Sequence, residues 1–256
     1  FDLLDDVLAS GIDAFDTGFS YADDFGACDE VLGSWISERG IRDSVIVVGK
    51  GCHPEIPYWS QSRVRPEIVV SDLEQSLDRM GTDRLDLWLF HRDDPSIPVD
   101  ELVDAASSQV TSGLADAWGV SNWKVDRLKA ACEVAASNGW VSPSATSPHF
   151  SLVSLVVESW PGVTSIAGPE AIEDREWLTE IGMPVLAWSS LAGGYLTSKA
   201  RNSSASLSEL PLQATADRKA AKRMPPSRTD ANSIVDPQSE MVAEANRCHH
   251  SVENWS

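Results

Sequence analysis

The chain has 256 residues, of which 42% are hydrophobic, and a formal net charge of −19 at pH 7. Its length is that of a single domain with a sizeable core, and its negative charge argues against nucleic acid and membrane surfaces as partners. No apolar run reaches the roughly 18 residues of a membrane-spanning helix, and the first residues show neither a basic start nor an apolar signal-peptide core. We therefore expect a cytoplasmic location.

Apolar and amphipathic segments alternate along the chain. Apolar runs predict six β-strands, at residues 11–16, 45–49, 85–90, 115–121, 140–147 and 184–189. Amphipathic patterns predict helices between them, at residues 24–39, 65–81, 98–112, 123–138 and 170–182. In the second helix, Pro66 suits the first turn and Gly81 suits the end. Strands that alternate with helices predict an α/β fold with a parallel sheet.

The number of predicted strands falls short of a closed barrel. A (β/α)8 TIM barrel has eight strands, so the pattern predicts an incomplete barrel in which the first and last strands are missing. The barrel domain is predicted at residues 1–196. Residues 197–256 lose the apolar periodicity and are rich in Ser, Ala, Pro and charges, which predicts an irregular tail, disordered or loosely helical.

Polar side chains lie at the carboxyl ends of the first three predicted strands. Asp16 ends the first strand, and Tyr21 follows it in a Gly-containing turn. Lys50 ends the second strand, and His91 directly follows the third. Because the chemistry of parallel barrels gathers at the carboxyl ends of strands, we expect these four residues to form one site.

These residue types suit the reduction of a carbonyl group. A tyrosine has a pKa of about 10 and acts as a general acid only where a nearby cation supports its phenolate. Lys50 can supply that cation, and Asp16 can hold the lysine as an ammonium. A histidine beside the hydroxyl can orient a substrate carbonyl. The sequence therefore predicts Tyr21 as the proton donor.

Taken singly, each of these residues has an ordinary alternative role. Asp16 could cap the following turn, Tyr21 could be a half-buried aromatic side chain, and Lys50 could be a solvated strand end. His91 could be a histidine satisfied by the neighbouring Asp93 and Asp94. The set of four in one ordered series of motifs favours the catalytic interpretation.

The series of motifs resembles the aldo-keto reductase family between about Phe1 and Leu196. The motifs are GIDAFDTGFSY (11–21), VIVVGKG (45–51), LDLWLFHRDD (85–94), AWGVSNW (117–123), SPHFSL (147–152) and PVLAWSSLAGGYL (184–196). The resemblance implies a catalytic tetrad of Asp16, Tyr21, Lys50 and His91. It also implies that hydride comes from a nicotinamide cofactor, usually NADPH.

The later strand ends supply candidates for cofactor binding. Ser121 and Asn122 follow a predicted strand and could bond the nicotinamide carboxamide, while Trp188 offers a face for stacking. The resemblance implies these same roles. Ser147 stands where many family members have a glutamine that contacts the carboxamide, so the sequence departs from the family there.

The segment after Trp188 resembles the family loop that passes the pyrophosphate. Ser189, Ser190 and Leu191 could present backbone donors there, and the nearby glycines permit close approach. A turn of small residues without a ligand is the alternative.

Two tryptophans are candidates for the substrate pocket. Trp59 lies in the loop at 52–63 after a predicted strand, and Trp123 follows Asn122. Surface or core aromatic side chains are the alternative for both. The pocket would take a small carbonyl compound or an alcohol, and nothing in the sequence indicates an oligomeric state.

The cysteines indicate neither a disulfide framework nor a metal site. None of the four forms a CxxC pair, so all are predicted to be free thiols. The run Cys248, His249, His250 looks like a small metal cluster, but no other ligand pattern accompanies it. We predict no metal.

Three functions are compatible with these observations. The tetrad favours an NADPH-dependent oxidoreductase that reduces an aldehyde or ketone to an alcohol, or runs in reverse. The divergent tail favours a binding or regulatory protein on the same scaffold. The missing strands favour a catalytically impaired fragment. We take the oxidoreductase as the leading hypothesis.

Overall fold

The fold was analysed in a computed structural model, which describes residues 1–55, 61–155, 160–194 and 196. The chain divides into two compact units. The first comprises Phe1–Pro148, Trp160–Thr164 and Asp174–Leu186, and the second comprises His149–Ser159, Ser165–Glu173 and Ala187–Ser256. The predicted tail at 197–256, including the Cys248 to His250 run, lies outside the described residues.

Strands and helices alternate along the described chain, as predicted. The strands are β1 (Ala14–Asp16), β2 (Ile46–Gly51), β3 (Leu87–Phe90), β4 (Trp118–Ser121) and β5 (Thr146–Ser147). The α-helices are α1 (Asp2–Ala9), α2 (Ala27–Arg39), α3 (Pro66–Met80), α4 (Val99–Thr111), α5 (Val125–Asn138) and α6 (Ile172–Glu180). Short 3-10 turns lie at Arg42–Ser44, Pro169–Ala171 and Ala192–Gly194.

The strands form one parallel sheet in the order β1-β2-β3-β4-β5. Every strand therefore pairs with its neighbour in the sequence, and a helix connects each pair. This sequential order is that of a (β/α)8 barrel, whereas a doubly wound sheet reverses its order near the middle. The fold is α/β, and the described strands correspond to an incomplete barrel, which confirms the predicted fold class.

The sixth predicted strand, at 184–189, is not a strand in the structure. Its first part makes a single parallel bridge between Thr146 and Val185. The Thr146 amide donates to the Pro184 carbonyl, and the Leu186 amide donates to the Thr146 carbonyl. Pro184 has no amide hydrogen to extend this pairing, and β5 itself has only two residues. The apolar run thus correctly predicted that this segment lies beside β5. The segment forms fewer hydrogen bonds to β5 than a strand of the predicted length would.

The core of the first unit is rich in tryptophan. Trp35, Trp88, Trp118 and Trp123 are each no more than 2% exposed. Helix α3 has the predicted bounds within one residue, and Gly81 ends it with a φ of 63° in the left-handed region that favours glycine. Among the residues described, no helix is long and apolar enough to cross a membrane. Cys28, Cys52 and Cys132 carry free thiols.

Candidate active site

Asp16, Lys50 and His91 lie at the carboxyl ends of three adjacent strands. Asp16 is the last residue of β1, Lys50 is the penultimate residue of β2, and His91 directly follows β3. The parallel register pairs Asp16 with Val48 and Lys50 with Leu89. Tyr21 lies in the turn after β1 and reaches the same edge of the sheet, where its ring is 5.8 Å from that of His91. The structure thus brings the four sequence-predicted residues together.

The glycine after Lys50 shows which face of the sheet the lysine occupies. A Cβ atom at Gly51 would lie 2.8 Å from the Trp88 ring and 2.9 Å from the Asp72 Cβ of α3. Gly51 therefore faces the helix layer, and no side chain fits there. Because successive strand residues point to opposite faces, Lys50 points away from α3. The lysine is 3% exposed.

One carboxylate binds both Lys50 and Tyr21. Lys50 Nζ forms an ion pair with Asp16 Oδ1, and the Tyr21 hydroxyl donates to Asp16 Oδ2 at 3.0 Å. Lys50 Nζ also lies 5.1 Å from the centre of the Tyr21 ring. The cation predicted to support the phenolate is therefore beside the ring, while the hydroxyl itself contacts the carboxylate.

These contacts determine the acidity of both groups. Tyr21 is 46% exposed, yet its hydroxyl lies at the carboxylate. Desolvation, followed by the charge and the hydrogen bond of Asp16, raises the pKa of Tyr21 above its ordinary value. Burial lowers the pKa of Lys50, and Asp16 opposes that shift. In this arrangement Asp16 holds the tyrosine in its protonated form.

A buried ion pair anchors the turn that carries Tyr21. Asp29 in α2 is fully buried and binds Arg79 of α3 at 2.9 Å. Its second oxygen accepts a hydrogen bond of 2.8 Å from the Thr17 hydroxyl, at the start of the turn. The Arg79 guanidinium lies 4.9 Å from the Phe19 ring, within the turn. Two helices thereby fix the segment between Asp16 and Tyr21.

His91 is buried and neutral. It is 8% exposed, and burial, followed by the charges of nearby His53 and Arg92, lowers the pKa of its ring well below the ordinary value. Its ring makes no hydrogen bond to the residues that the structure describes. A neutral imidazole can donate one hydrogen bond to a substrate oxygen without giving up a proton.

Sequence reasoning missed a second histidine in this site. The ring of His53, three residues after Lys50, lies 4.6 Å from that of His91. Its Nδ1 bonds the Pro54 carbonyl at 2.7 Å, so Nδ1 carries the hydrogen. Burial, helped by the charge of Arg92, lowers the pKa of His53 to about 4. The available signal was its place two residues after β2, where side chains approach those that follow β3.

Arg92 is the second residue that sequence reasoning missed. It follows His91 and is 7% exposed. Its Nη1 donates to the His91 carbonyl at 3.0 Å, while its Nε is buried and makes no hydrogen bond within the described part of the chain. Burial lowers the pKa of Arg92 to about 10, so it remains a cation at neutral pH. The adjacent Asp93 pairs with Arg127 at 3.1 Å.

Ser121, Asn122 and Ser147 join the ends of three strands. Asn122 Nδ2 donates to the His91 carbonyl at 3.2 Å and to Ser121 Oγ at 3.0 Å. Ser121 Oγ donates to the Ser147 carbonyl at 2.9 Å, and Ser147 Oγ donates to the Leu186 carbonyl at 2.8 Å. Asn122 has a φ of 61°, which asparagine tolerates better than most residues. Their contact with a cofactor stays a prediction.

The remaining predicted cofactor residues belong to the second unit. Trp188 packs edge-on against His149, with ring centres 5.0 Å apart. Ser189 has a φ of 57° and accepts a hydrogen bond of 2.8 Å from the Ala192 amide, which closes a turn. Ser190 is exposed, and Leu191 is 56% exposed. Their binding roles also stay predictions.

The structure describes only one of the two tryptophans predicted to line the substrate pocket. Trp59 lies outside the described residues. Trp123 is 2% exposed, its Nε1 donates to the Arg92 carbonyl at 3.1 Å, and its ring lies 5.3 Å from that of Phe90. This placement favours the core alternative for Trp123, although its indole holds the backbone of a residue in the site.

Comparison with known proteins gives the same family as the fold and the site. A model of the Aldo/keto reductase family matches residues 1–247. The chain therefore belongs to the aldo/keto reductase family. The family consists of oxidoreductases that typically use NAD(P)H to reduce carbonyl compounds.

Several curated relatives are between a quarter and a third identical to the chain over the aligned residues. It is 29% identical over 192 residues to human aflatoxin B1 aldehyde reductase member 4, covering 75% of this chain and 52% of that protein. It is 30% identical over 216 residues to the uncharacterized oxidoreductase YrpG of Bacillus subtilis, covering 80% and 61%. It is 29% identical over 203 residues to a probable voltage-gated potassium channel subunit beta of rice, covering 77% and 56%. The chain thus spans about half to three fifths of the length of these relatives.

Proposed function

We propose that this chain is an NADPH-dependent oxidoreductase that reduces an aldehyde or ketone to an alcohol, or catalyses the reverse reaction. The observation that carries the proposal is the convergence of Tyr21, Asp16, Lys50 and His91 at adjacent strand ends. Tyr21 supplies the proton, and neutral His91 orients the carbonyl oxygen.

The side chains at the end of β4 fit a nicotinamide carboxamide. Asn122 Oδ1 accepts only one long hydrogen bond, of 3.4 Å, from the Thr164 amide among the described residues, so it can accept another from an amide. The proposed binding residues are Ser121, Asn122, Ser147, Trp188, Ser189, Ser190 and Leu191. When bound, the cofactor supplies the hydride.

Proton transfer requires the Tyr21 hydroxyl to exchange partners. In the structure it donates to Asp16, and a phenolate beside that carboxylate would be disfavoured by like charge. A bound carbonyl oxygen, held by a hydrogen bond from His91, offers the hydroxyl a new acceptor. As the proton moves to the substrate, the nearby ammonium of Lys50 and the Arg92 guanidinium stabilise the charge left on Tyr21. Asp16 favours the charged form of Lys50 against the effect of burial.

Substitution of Tyr21 by Phe tests the proposal. Loss of a positioned general acid costs about 10²- to 10⁴-fold in rate, so we expect Tyr21→Phe to lower kcat by at least about 10²-fold on a panel of aldehydes. NADPH consumption gives the rate. NADPH binding, followed by tryptophan fluorescence, should survive the substitution. Undiminished turnover in the variant would exclude the assigned proton donor.

A second candidate is a nucleotide-binding regulatory protein on the same scaffold. The bond between Tyr21 and Asp16, which raises the pKa of the tyrosine, favours this candidate because it makes proton donation harder. One relative in rice is named as a probable channel subunit. Saturable NADPH binding with no turnover on a wide aldehyde panel would select this function over catalysis.

A further inference from the structure

We propose that Arg92 binds an anionic group of the substrate, so that the site selects carbonyl compounds that carry a carboxylate. The inference rests on the proposed function and specifies its substrate class.

The guanidinium of Arg92 has unused hydrogen-bonding capacity. Arginine has five N–H donors in a fork that matches a carboxylate. Of these, the described residues engage one at Nη1, through the His91 carbonyl. Nε is buried without a partner, and no bond from Nη2 to the described residues occurs. Arg92 is 7% exposed, so bulk water solvates its charge poorly.

Four other arginines of the first unit with largely covered side chains have a carboxylate partner. Arg42 pairs with Asp86 at 2.9 Å, Arg63 with Asp72 at 2.6 Å, Arg79 with Asp29 at 2.9 Å and Arg127 with Asp93 at 3.1 Å. Among the described residues, Arg92 has no such partner. A buried cation without a counterion is unfavourable, and a bound carboxylate would remove that penalty while forming a bidentate pair.

Arg92 lies where such a carboxylate would accompany a reacting carbonyl. Arg92 directly follows His91 and its Nη1 donates to the His91 carbonyl at 3.0 Å, and its charge disfavours protonation of Tyr21, His53 and His91. The backbone of Arg92 is fixed on both sides, since Trp123 bonds its carbonyl and Asn122 bonds the carbonyl of His91. The cation is therefore a preorganised part of the site and not a side chain recruited from the surface.

A pair of matched aldehydes tests the proposal. Benzaldehyde and 4-carboxybenzaldehyde share the reacting group and differ in the carboxylate. For the wild-type chain, kcat/KM is expected to be at least about tenfold higher for the carboxylate substrate, because hydrogen bonds between two charged groups are stronger than those between neutral ones. In Arg92→Gln the ratio of the two kcat/KM values should fall at least tenfold, mainly through KM, and in Arg92→Lys it should fall less.

Arg42→Gln serves as the matched control, because Arg42 is a largely covered arginine that already has a carboxylate partner and lies before β2, at the end of that strand opposite Lys50. The ratio should not change in that variant. An equal loss on both aldehydes in Arg92→Gln, or a wild-type ratio near one, would overturn the proposal. So would an unchanged ratio together with weaker NADPH binding, which would assign Arg92 to the dinucleotide. If circular dichroism shows that Arg92→Gln is unfolded, Arg92→Lys provides the test instead. A ratio of the two kcat/KM values that falls less than threefold in Arg92→Lys would overturn the proposal.

A binding measurement separates this inference from the proposed function. If neither aldehyde is turned over, the oxidoreductase assignment fails, and calorimetric titration with benzoate and benzamide becomes decisive. Benzoate binding that is stronger than benzamide binding and is lost in Arg92→Gln would uphold the anion site. Absence of benzoate binding, or equal binding to the variant, would exclude it.

Discussion

The Tyr21 hydroxyl donates a hydrogen bond of 3.0 Å to Asp16 Oδ2, while the other oxygen of the same carboxylate pairs with Lys50. Asp16 is thus the shared partner of the proposed acid and its supporting cation. The carboxylate favours the charged form of Lys50 but opposes ionisation of Tyr21. These two effects act alongside desolvation, which is the largest cause of the pKa shifts of both Tyr21 and Lys50.

Removing the charge of Asp16 should make Tyr21 more acidic. In Asp16→Asn the carboxylate no longer raises the pKa of the phenol, so the pKa of Tyr21 should fall towards its ordinary value. The pH dependence of tyrosinate absorbance measures it, and the difference between this variant and Asp16→Asn/Tyr21→Phe isolates Tyr21 from the other two tyrosines. Identical titration curves for wild type and Asp16→Asn would contradict the assigned cause.

Folding stability should decline between pH 7 and pH 5 because of His53. Its pKa is lowered from 6.5 to about 4 in the folded chain, so in this window the unfolded chain binds more protons and stability falls as the pH falls. The expected loss from this group is about 2 kcal/mol, from the roughly 1.4 kcal/mol that each pKa unit represents. Urea unfolding at both pH values measures it.

The variant His53→Gln provides the comparison for this pH effect. It cannot take up the proton, so its stability should change less between the two pH values than that of the wild type. A loss of equal size in both proteins would show that other groups cause the acid sensitivity.

Asp29 should contribute strongly to stability and to the position of the Tyr21 turn. Removing one partner of a buried ion pair costs about 3 to 5 kcal/mol, which is the loss expected in Asp29→Asn because Arg79 is then left without its counterion. Asp43→Asn is the matched control, since Asp43 pairs with Arg84 at the surface, where ion pairs contribute little. Similar unfolding midpoints in urea for the two variants would refute the role of Asp29.

Replacing Asn122 should lower the free energy of unfolding for two reasons that can be measured separately. Asn122→Ala loses the bonds to the His91 carbonyl and Ser121 Oγ and also places alanine at a φ of 61°. Asn122→Gly loses the same bonds but accepts this φ without strain. We expect alanine to be the less stable variant by about 1 kcal/mol, the cost of a left-handed conformation, in thermal or urea unfolding. Alanine equal to or more stable than glycine would exclude strain at this position.

The sequence predicted the elements better than the contacts between side chains. Five strands and helix α3 followed from apolar runs and from Pro66 and Gly81, because these signals are local. The residues of the proposed tetrad were found because each one lies at or near a strand end. That their roles are catalytic stays a prediction.

The partners of these side chains could not be predicted, since they depend on rotamers and on distant segments. The Tyr21 hydroxyl could have met Lys50 or Asp16, and nothing in the spacing distinguishes the two. His53 and Arg92 were missed because one lies in a loop and the other next to acidic residues. In the structure, Arg127, from a helix about 35 residues later, takes Asp93 and leaves Arg92 without that partner.

The sequential strand order bears on how the protein is made. Each strand pairs with the strand immediately before it in the chain, so a newly synthesised βα unit can dock on a sheet edge that already exists. Chains generally fold from the amino terminus during synthesis at about 5 to 20 residues per second. The ion pair of Asp16 and Lys50 joins the first two strands of this order, so both of its partners are synthesised before the codon for His91 is read.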